Sequence, residues 1–264
     1  MQLLKETCIA IVGSRNSSEY GEKMTRIITK ELVQNNIVIV SGMALGIDSV
    51  AHNTCIDCGG KTIAVLGCGF NNIYPKENEY LFKKILANDG LIISEYPINT
   101  PVEKKNFPKR NRIISGLSVA ILVIEAAYRS GTSITARLAK NQGKKVFCIP
   151  NSVGNKNSYG TIDLVMKGAI LIRSAKDMLH ELGIKYSEIA GDYGVKKNHV
   201  VLNDKSKIIV DCITECKGMN AESISLKTGI DIMHVNQILT MLEMDGVIIY
   251  SGRNGYDIAE AYFE

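Results

Sequence analysis

Positive charge beside an aromatic ring is the feature of this sequence with the clearest chemical use. Residues 107–118 read FPKRNRIISGLS and lead directly into an apolar run. The cations of this region are Lys104, Lys105, Lys109, Arg110 and Arg112. Cations bind the phosphates of a nucleic acid, and an exposed Phe107 can stack on a base, worth about 1–3 kcal/mol per base in single-strand binders. The segment therefore predicts a surface that follows a sugar–phosphate backbone.

The same residues also allow a purely structural interpretation. If the helix predicted here packs its apolar face on the core, Phe107 can pack on its own helix. Arg110 and Arg112 can then form internal ion pairs with Asp48 or Glu125. For the two arginines, the residues support internal pairing and direct phosphate contact equally, and for the lysines the options are phosphate contact or solvation.

A turn after the first predicted strand could also hold an anion. It consists of Gly13, Ser14 and Arg15 and comes shortly before a helical segment. A tight glycine lets backbone amides face an anion, a helix N-terminus favours negative charge, and Arg15 adds a bidentate donor. The alternative is a plain Gly-Ser turn with a surface arginine, and the tripeptide alone does not separate the two.

A second turn of this kind follows the next strand. It reads SGMALGID, residues 41–48, and begins at Ser41. Gly42 and Gly46 remove side chains where a phosphate could approach the backbone. Asp48 stands in the first turn of the next helix, where it stabilises the N-terminus or accepts a hydrogen bond. Two such turns on adjacent strands favour a phosphate site more than either turn alone.

A later loop, YRSGTSITA (128–136), offers hydroxyls and amides of Ser130, Gly131 and Thr132 ahead of another helix. Thr132 is the predicted N-cap of that helix. Glu125, at the end of the preceding strand, is placed as a general base would be. No nucleophile, histidine or metal-binding cluster accompanies it in the sequence, so we expect no catalytic residue, no metal and no cofactor.

Two glycine motifs resemble nucleotide sites but lack the required context. CGGKT (58–62) resembles the end of a Walker A motif, yet it runs from helix to strand, opposite to a P-loop. GCGFNN (67–72) begins like a dinucleotide fingerprint, but Asn72 takes the place of the third glycine and Tyr74-Pro75 follows where a helix should start. Neither motif therefore predicts ATP hydrolysis or NAD binding.

These loops need a frame that brings them together, and the apolar pattern supplies one. Strand-length runs rich in Val and Ile alternate with helical segments at 20–35, 47–58, 78–88, 109–117 and 132–142. The predicted strands are 8–12, 37–41, 62–67, 91–94, 119–124, 145–149 and 169–172. Such alternation predicts an α/β fold with a doubly wound, mostly parallel sheet, whose ligands bind outside the carboxyl ends of the strands.

Composition sets limits on compartment and class. The 264 residues carry a net charge of +4 and seven cysteines. The longest apolar runs are strand-length and the N-terminus lacks a signal-peptide pattern, so we expect a cytosolic protein without a membrane span. The cysteines are then expected to be reduced core thiols, with zinc or a redox pair as minor alternatives.

The last part of the chain has a different pattern. We predict a first domain over 1–184, a linker over 185–204 and a winged-helix domain over 205–264. The predicted recognition helix, DIMHVNQILTMLEMDG (231–246), has three acids and no Lys or Arg. We therefore expect it to bind protein, or the basic face of its partner domain, rather than duplex DNA, with Arg253 at the wing tip as the exception.

Taken in order, the motifs IVGSR, SGMALGID, FPKRNRIISGLS, EAAYRSGTSITA and GAILI resemble the DNA-processing protein A family (DprA, also called Smf). The resemblance covers roughly residues 8–182, and FPKRNRIISGLS is its most specific element. It implies an extended Rossmann-like domain that binds single-stranded DNA without catalysis, protects incoming DNA in natural transformation and helps load the RecA recombinase. It also implies a homodimer, and we expect the functions of the family's helical N-terminal domain to be missing.

By position, the resemblance also implies roles for individual residues. Arg15 looks like a phosphate-binding arginine, and Lys104 and Phe107 look like the cation and stacking ring ahead of the helix. The predicted DNA-binding set is Gly13, Ser14, Arg15, Ser41, Gly42, Gly46, Lys104, Phe107, Lys109, Arg110, Arg112, Ser130, Gly131 and Thr132. The residues expected to brace the pocket are Asp48, Asn111 and Glu125.

Two other functions remain open at this point. The glycine-rich loop and Glu125 loosely resemble lysine-decarboxylase-like phosphoribohydrolases, although no glutamate follows Thr132 at their spacing. The same crevice could instead hold a small nucleotide as a sensor.

Overall fold

The computed structural model describes residues 2–128, 130–187, 204–216, 218–244, 247–250 and 255–258. The chain forms two compact units, Met1–Ser187 and Glu188–Glu264. Most of the predicted linker lies outside the described residues. No helix among those described has the length and hydrophobicity needed to cross a membrane.

A seven-stranded parallel sheet forms the centre of the first unit. Its strands are β1 (Cys8–Val12), β2 (Val38–Ser41), β3 (Thr62–Leu66), β4 (Leu91–Ser94), β5 (Ala120–Val123), β6 (Lys145–Cys148) and β7 (Ile170–Leu171). Every residue of β1, β2, β3 and β5 is buried. These strands are covered on both faces, which explains why their sequences are continuous apolar runs rather than alternating ones.

The strand order is β4-β3-β2-β1-β5-β6-β7. The chain therefore moves outward from β1 to one edge, returns to pair β5 with β1, and continues to the other edge. All these pairings are parallel, so the loops after β1, β2, β3 and β5 meet at one edge of the sheet. This topology confirms the predicted doubly wound α/β fold.

Helices cover both faces of the sheet. They are α1 (Glu19–Gln34), α2 (Ile47–Asp57), α3 (Glu79–Ala87), α4 (Asn106–Leu117), α5 (Gly131–Asn141), α6 (Tyr159–Met166) and α7 (Ala175–Glu181). Ile9 and Ile11 of β1 share a buried cluster with residues of α1, α2 and α7. Ala10 and Val12 share another with residues of α4, α5 and α6, since successive strand residues point to opposite faces.

Two of the helix starts that differ from the prediction concern predicted site residues. Helix α4 begins at Asn106, three residues before the predicted start, so Phe107 lies in its first turn. Helix α5 begins at Gly131, and its N-cap position is Ser130 rather than Thr132. The Thr132 hydroxyl is bonded outside its own helix, so the prediction that this residue is the N-cap is wrong.

The second unit contains α8 (Asp204–Glu215), α9 (Ala221–Thr228), α10 (Ile232–Met244) and an antiparallel pair, β8 (Ile248–Tyr250) and β9 (Tyr256–Ile258). Asn220 caps α9 through its side chain, and Gly229 ends that helix with φ of 70°. Ile209, Ile224, Val235 and Leu239 lie in its buried core. The predicted wing tip with Arg253 lies outside the described residues.

Candidate nucleic-acid interface

The loops after β1 and β2 pack directly on each other. The Ile47 amide at the start of α2 donates to the Ser14 carbonyl at 3.2 Å. Gly46 has φ of 74°, and a Cβ there would lie 2.3 Å from the Ser14 oxygen. Both the backbone angle and the close approach require glycine at this position. The two predicted anion loops thus form one connected structure, with the Ser41 hydroxyl donating to the Ile11 carbonyl at 2.7 Å beneath them.

Arg110 fastens α4 to the ends of β2 and β3. Its side chain is buried, and Nη1 donates to the Gly42 carbonyl at 2.7 Å and to the Val65 carbonyl. Its Nε donates to the side-chain oxygen of Asn111 at 3.1 Å. This network agrees with an internal role for Arg110, whose guanidinium also forms part of the pocket wall described below.

Asp48 and Arg110 both lie close to Gly42. A Cβ at Gly42 would be 2.8 Å from Oδ2 of Asp48 and 2.8 Å from Nη2 of Arg110. The Asp48 carboxylate accepts from the amides of Gly42 and Ala44 at 3.1 and 3.3 Å. Burial raises the pKa of Asp48, while Arg110 and these amides oppose that shift. Burial also lowers the pKa of Arg110 to about 10, which Asp48 opposes, so Arg110 stays charged at neutral pH.

His52 lies one turn further along α2 and is fully buried. Its Nδ1 is 2.7 Å from the Thr62 hydroxyl. Burial, and then the nearby charge of Arg110, lower the pKa of His52 to about 3. The imidazole is therefore neutral at physiological pH and adds no positive charge to the interface.

Phe107 forms the floor of a pocket between these loops. The Arg15 and Arg110 guanidinium carbons lie 5.6 and 5.9 Å from its ring centroid, within cation–π distance. The ring of Tyr74 is 5.5 Å away at an angle of 47°. A Cβ on Gly67 would lie 3.0 Å from the Phe107 ring, so the backbone after β3 supports the ring directly. The pocket is lined by Arg15, Gly42, Ala44, Leu45, Tyr74, Pro75, Phe107 and Arg110.

The surface cations near this pocket differ in their pairing. Lys105 forms an ion pair with Glu103 at 2.7 Å, and Arg112 pairs with Glu95, which follows β4. Lys104 and Lys109 are exposed and form no ion pair within the part of the chain that the structure describes. The prediction that Arg112 pairs with Asp48 or Glu125 is therefore wrong. Its partner is Glu95, because Arg112 faces the end of β4.

The loop before α5 is tied into the same edge of the sheet. The Thr132 hydroxyl donates to the Gly13 carbonyl at 3.0 Å, and the Asn111 amide donates to the Gly131 carbonyl at 3.4 Å. The Ser130 hydroxyl oxygen is buried and has no hydrogen-bond partner among the described residues. Asn111, Gly131 and Thr132 therefore hold α4, α5 and the first loop together, and neither they nor Ser130 line the pocket.

Glu125 is fully buried and used structurally. It accepts from the Ser18 amide at 2.9 Å and from the Ser18 hydroxyl. The amides of Asn157 and Asn151 approach it at 3.3 and 3.4 Å. Ser18 caps α1, so this carboxylate stabilises the N-terminus of that helix. Glu125, which the sequence placed as a general base would be, thus already accepts hydrogen bonds from these neighbours.

The pocket thus brings together Arg15, Gly42, Phe107 and Arg110 from the predicted set. It also contains residues that the sequence reasoning missed, above all Tyr74. The available signal was an aromatic residue and a proline in the loop after the third strand, next to the two glycine turns. No group of three His, Cys, Asp or Glu side chains suited to a metal ion occurs in the described ranges.

The site combines the Phe107 ring with two guanidinium groups, and these are the group types that stack on planar rings and pair with anions. Fold and pocket together define a Rossmann-like α/β protein with a cationic, aromatic pocket at the carboxyl ends of its central strands. The chain belongs to the family of DNA recombination-mediator protein A, whose family model matches residues 1–183. This assignment confirms the resemblance found in the sequence.

Individual relatives and solved structures support this assignment. Protein Smf from Synechocystis sp. is 46% identical over 175 residues, which are 66% of this chain and 44% of Smf. The X-ray structure of DprA from Streptococcus pneumoniae is 42% identical, with a TM-score of 0.65 over 70% of this chain and 64% of that one. A structure that reports the single-stranded DNA binding mode of DprA from Helicobacter pylori is 33% identical, with a TM-score of 0.64 over 71% and 85% of the two chains. The chain thus spans less than half the length of the Smf relative.

Proposed function

We propose that this protein binds single-stranded DNA, without strong sequence preference and without catalysis, through the pocket around Phe107. The observation that carries the proposal is the Phe107 ring, supported from below by Gly67 and flanked by the guanidinium groups of Arg15 and Arg110. The similarity to a relative whose structure was reported for its single-stranded DNA binding mode supports it.

The chemistry of the pocket favours single strands over duplexes. A base can lie on a protein ring only when it is not stacked and paired within a duplex. Every base has an aromatic face, so stacking on Phe107 tolerates any sequence. Arg15 is exposed at the rim, where a guanidinium can contact the phosphate that follows a bound base.

The same residues disfavour a hydrolytic enzyme at this site. The pocket lining contains arginine, glycine and apolar or aromatic residues, and none of its described members is a serine, a cysteine, a histidine or a carboxylate. Glu125, which a phosphoribohydrolase would need as an acid or base, is held by Ser18 and two asparagines. The arrangement therefore supports binding rather than bond cleavage.

The biological part of the proposal follows the family. We infer that the protein acts in the cytosol as a homodimer, protects incoming DNA in natural transformation and helps load RecA recombinase. The description of the matching family as recombination mediators supports this role. Helix α10 (IMHVNQILTMLEM) has no Lys or Arg, which suits contact with a protein better than contact with duplex DNA.

A binding experiment tests the function directly. Labelled oligo-dT and a duplex of equal length are titrated with wild-type protein, Phe107→Leu and Lys83→Ala, the last being a control on α3 whose lysine pairs with Glu79. We expect preference for oligo-dT, about 10-fold weaker binding by Phe107→Leu, and no change in the control. Equal affinity for both DNAs, or release of free base from nucleoside monophosphates, would reject the proposal.

A further inference from the structure

The loops after β3 and β4 are joined into one structure beside the pocket. These paired loops are residues 67–75 and 95–105. The amide of Gly69 donates to the Thr100 carbonyl at 3.0 Å, and the amide of Asn71 donates to the Ile98 carbonyl at 3.1 Å. The side chain of Asn71 also donates to the Asn99 side chain at 2.7 Å. Backbone and side-chain bonds therefore hold the two loops in one geometry.

Gly69 shows how closely the paired loops approach. A Cβ at this position would lie 2.2 Å from the Ile98 carbonyl oxygen and 2.3 Å from that of Pro97. Real Cβ atoms do not make such contacts, so any side chain here would separate the loops. The neighbouring Cys68 thiol donates to the Asn72 carbonyl at 2.9 Å and closes the turn from within.

This rigid turn displays an aromatic ring. Phe70 follows Gly69 at the tip of the loop and is 36% exposed. Both ends of the loop reach the pocket, since Gly67 supports the Phe107 ring and the ring of Tyr74 lies 5.5 Å from it. The chain from Gly67 to Phe70 can separate their Cα atoms by at most about 10 Å. At the 3.4 Å spacing of stacked bases, this limit corresponds to about three nucleotides.

The charge distribution around the tip fits a strand of DNA. The loop GCGFNNIYP (67–75) has no charged residue, which suits the faces of bases. Lys104, at the end of the other loop, is exposed and makes no ion pair in the described structure. Ile98 and Val102 on that loop are also exposed and extend the apolar surface. This distribution would let bases lie on the uncharged loop while phosphates contact Lys104.

We propose that Phe70 is a second base-stacking position, on which a nucleotide of the same strand stacks after another has filled the pocket at Phe107. The inference rests on the proposed binding of single-stranded DNA and deepens it. It assigns a function to the GCGFNN motif, which lacks the pattern of a dinucleotide site. The competing occupant of this surface would be an apolar segment of a partner protein.

The chain contains no tryptophan, which allows a direct test. Phe70→Trp introduces a single tryptophan at the tip, and Tyr80→Trp places one on α3, where Tyr80 is 75% exposed, as a matched control. Each protein is titrated with a dT dinucleotide, which fills the pocket only, and with a longer oligo-dT. We expect quenching of tryptophan fluorescence in Phe70→Trp by the longer oligonucleotide and none in Tyr80→Trp.

A second variant measures the energetic effect. Phe70→Ala should bind the longer oligo-dT about 10-fold more weakly and the dinucleotide as wild type does. Thermal unfolding of the variant checks that the turn still folds. The second position does not exist if the longer oligo-dT still depends on Phe107 for binding, leaves the fluorescence of Phe70→Trp unchanged and binds Phe70→Ala as tightly as wild type. If wild-type protein does not bind oligo-dT at all, the proposed function itself fails.

Discussion

The pairing of the surface cations leads to a quantitative prediction about salt. Arg15, Lys104 and Lys109 form no ion pair with an acid among the described residues, whereas Arg112 pairs with Glu95. An unpaired cation that contacts a phosphate releases a counterion on binding, so it contributes to the salt dependence of affinity. Replacing Arg15 by glutamine should therefore reduce this dependence, and the same change at Arg112 should affect it less.

The size of the effect follows from the count of contacts. Each phosphate neutralised in single-stranded DNA contributes about −0.7 to the slope of log K against log salt. Contacts from Arg15, Lys104 and Lys109 give a slope of about −2, or about 20-fold weaker binding at 200 mM than at 50 mM salt. Loss of the Arg15 contact leaves a slope of about −1.4 and a change of only about 7-fold.

Fluorescence anisotropy of labelled oligo-dT across a salt series measures these slopes. Arg15→Gln and Arg112→Gln remove the same formal charge, so a difference between them reports direct phosphate contact rather than net charge. The reasoning is refuted if Arg15→Gln keeps the wild-type slope, or if Arg112→Gln lowers the slope as much as Arg15→Gln does.

Four further variants test the structure that positions the site. Gly46→Ala should lower the free energy of unfolding by about 1–3 kcal/mol, because Gly46 has a positive φ and lies close to the Ser14 oxygen. Gly116→Ala, on the exposed side of α4, should instead raise the free energy of unfolding by about 0.5–1 kcal/mol, and urea denaturation measures both changes. His52 has a pKa of about 3 when folded and about 6.5 when unfolded, so the unfolded state binds the extra proton and stability falls as pH drops through this window. Wild type should lose about 2 kcal/mol more than His52→Gln between pH 7 and pH 5, and equal losses would contradict a buried neutral imidazole. Glu125→Gln should destabilise the protein by about 1–3 kcal/mol, seen as a lower Tm, because its amide group would face donors; an unchanged Tm would contradict the structural role given to this carboxylate.

Much of the fold could be predicted because its signals are local. Runs of Val and Ile, separated by helical segments, predicted every strand of the parallel sheet to within two residues at either end. The start of α4 was predicted three residues too late, because the helix includes Pro108, which is tolerated in a first helical turn. The N-cap of α5 was misplaced because the Thr132 hydroxyl bonds to Gly13, more than a hundred residues away in the chain.

The site was predicted in part for a similar reason. Arg15, Gly42 and Phe107 could be proposed because parallel strands bring their carboxyl-end loops to one edge. Tyr74 was missed, since its contact with Phe107 depends on how the loop after β3 folds back. The ion-pair partner of Arg112 was predicted wrongly, because the sequence contains several acids and only the fold determines which one α4 faces.

The sequence by itself determined that this is a parallel α/β protein with cations and glycine turns at the ends of its strands, because alternation of apolar segments is encoded locally. Only the tertiary structure decided which charges remain available to a ligand. Burial and ion pairing depend on neighbours brought together by folding: they place Arg110 in the wall of the pocket, pair Arg112 with Glu95 and occupy Glu125, while Arg15 stays at the rim beside Phe107.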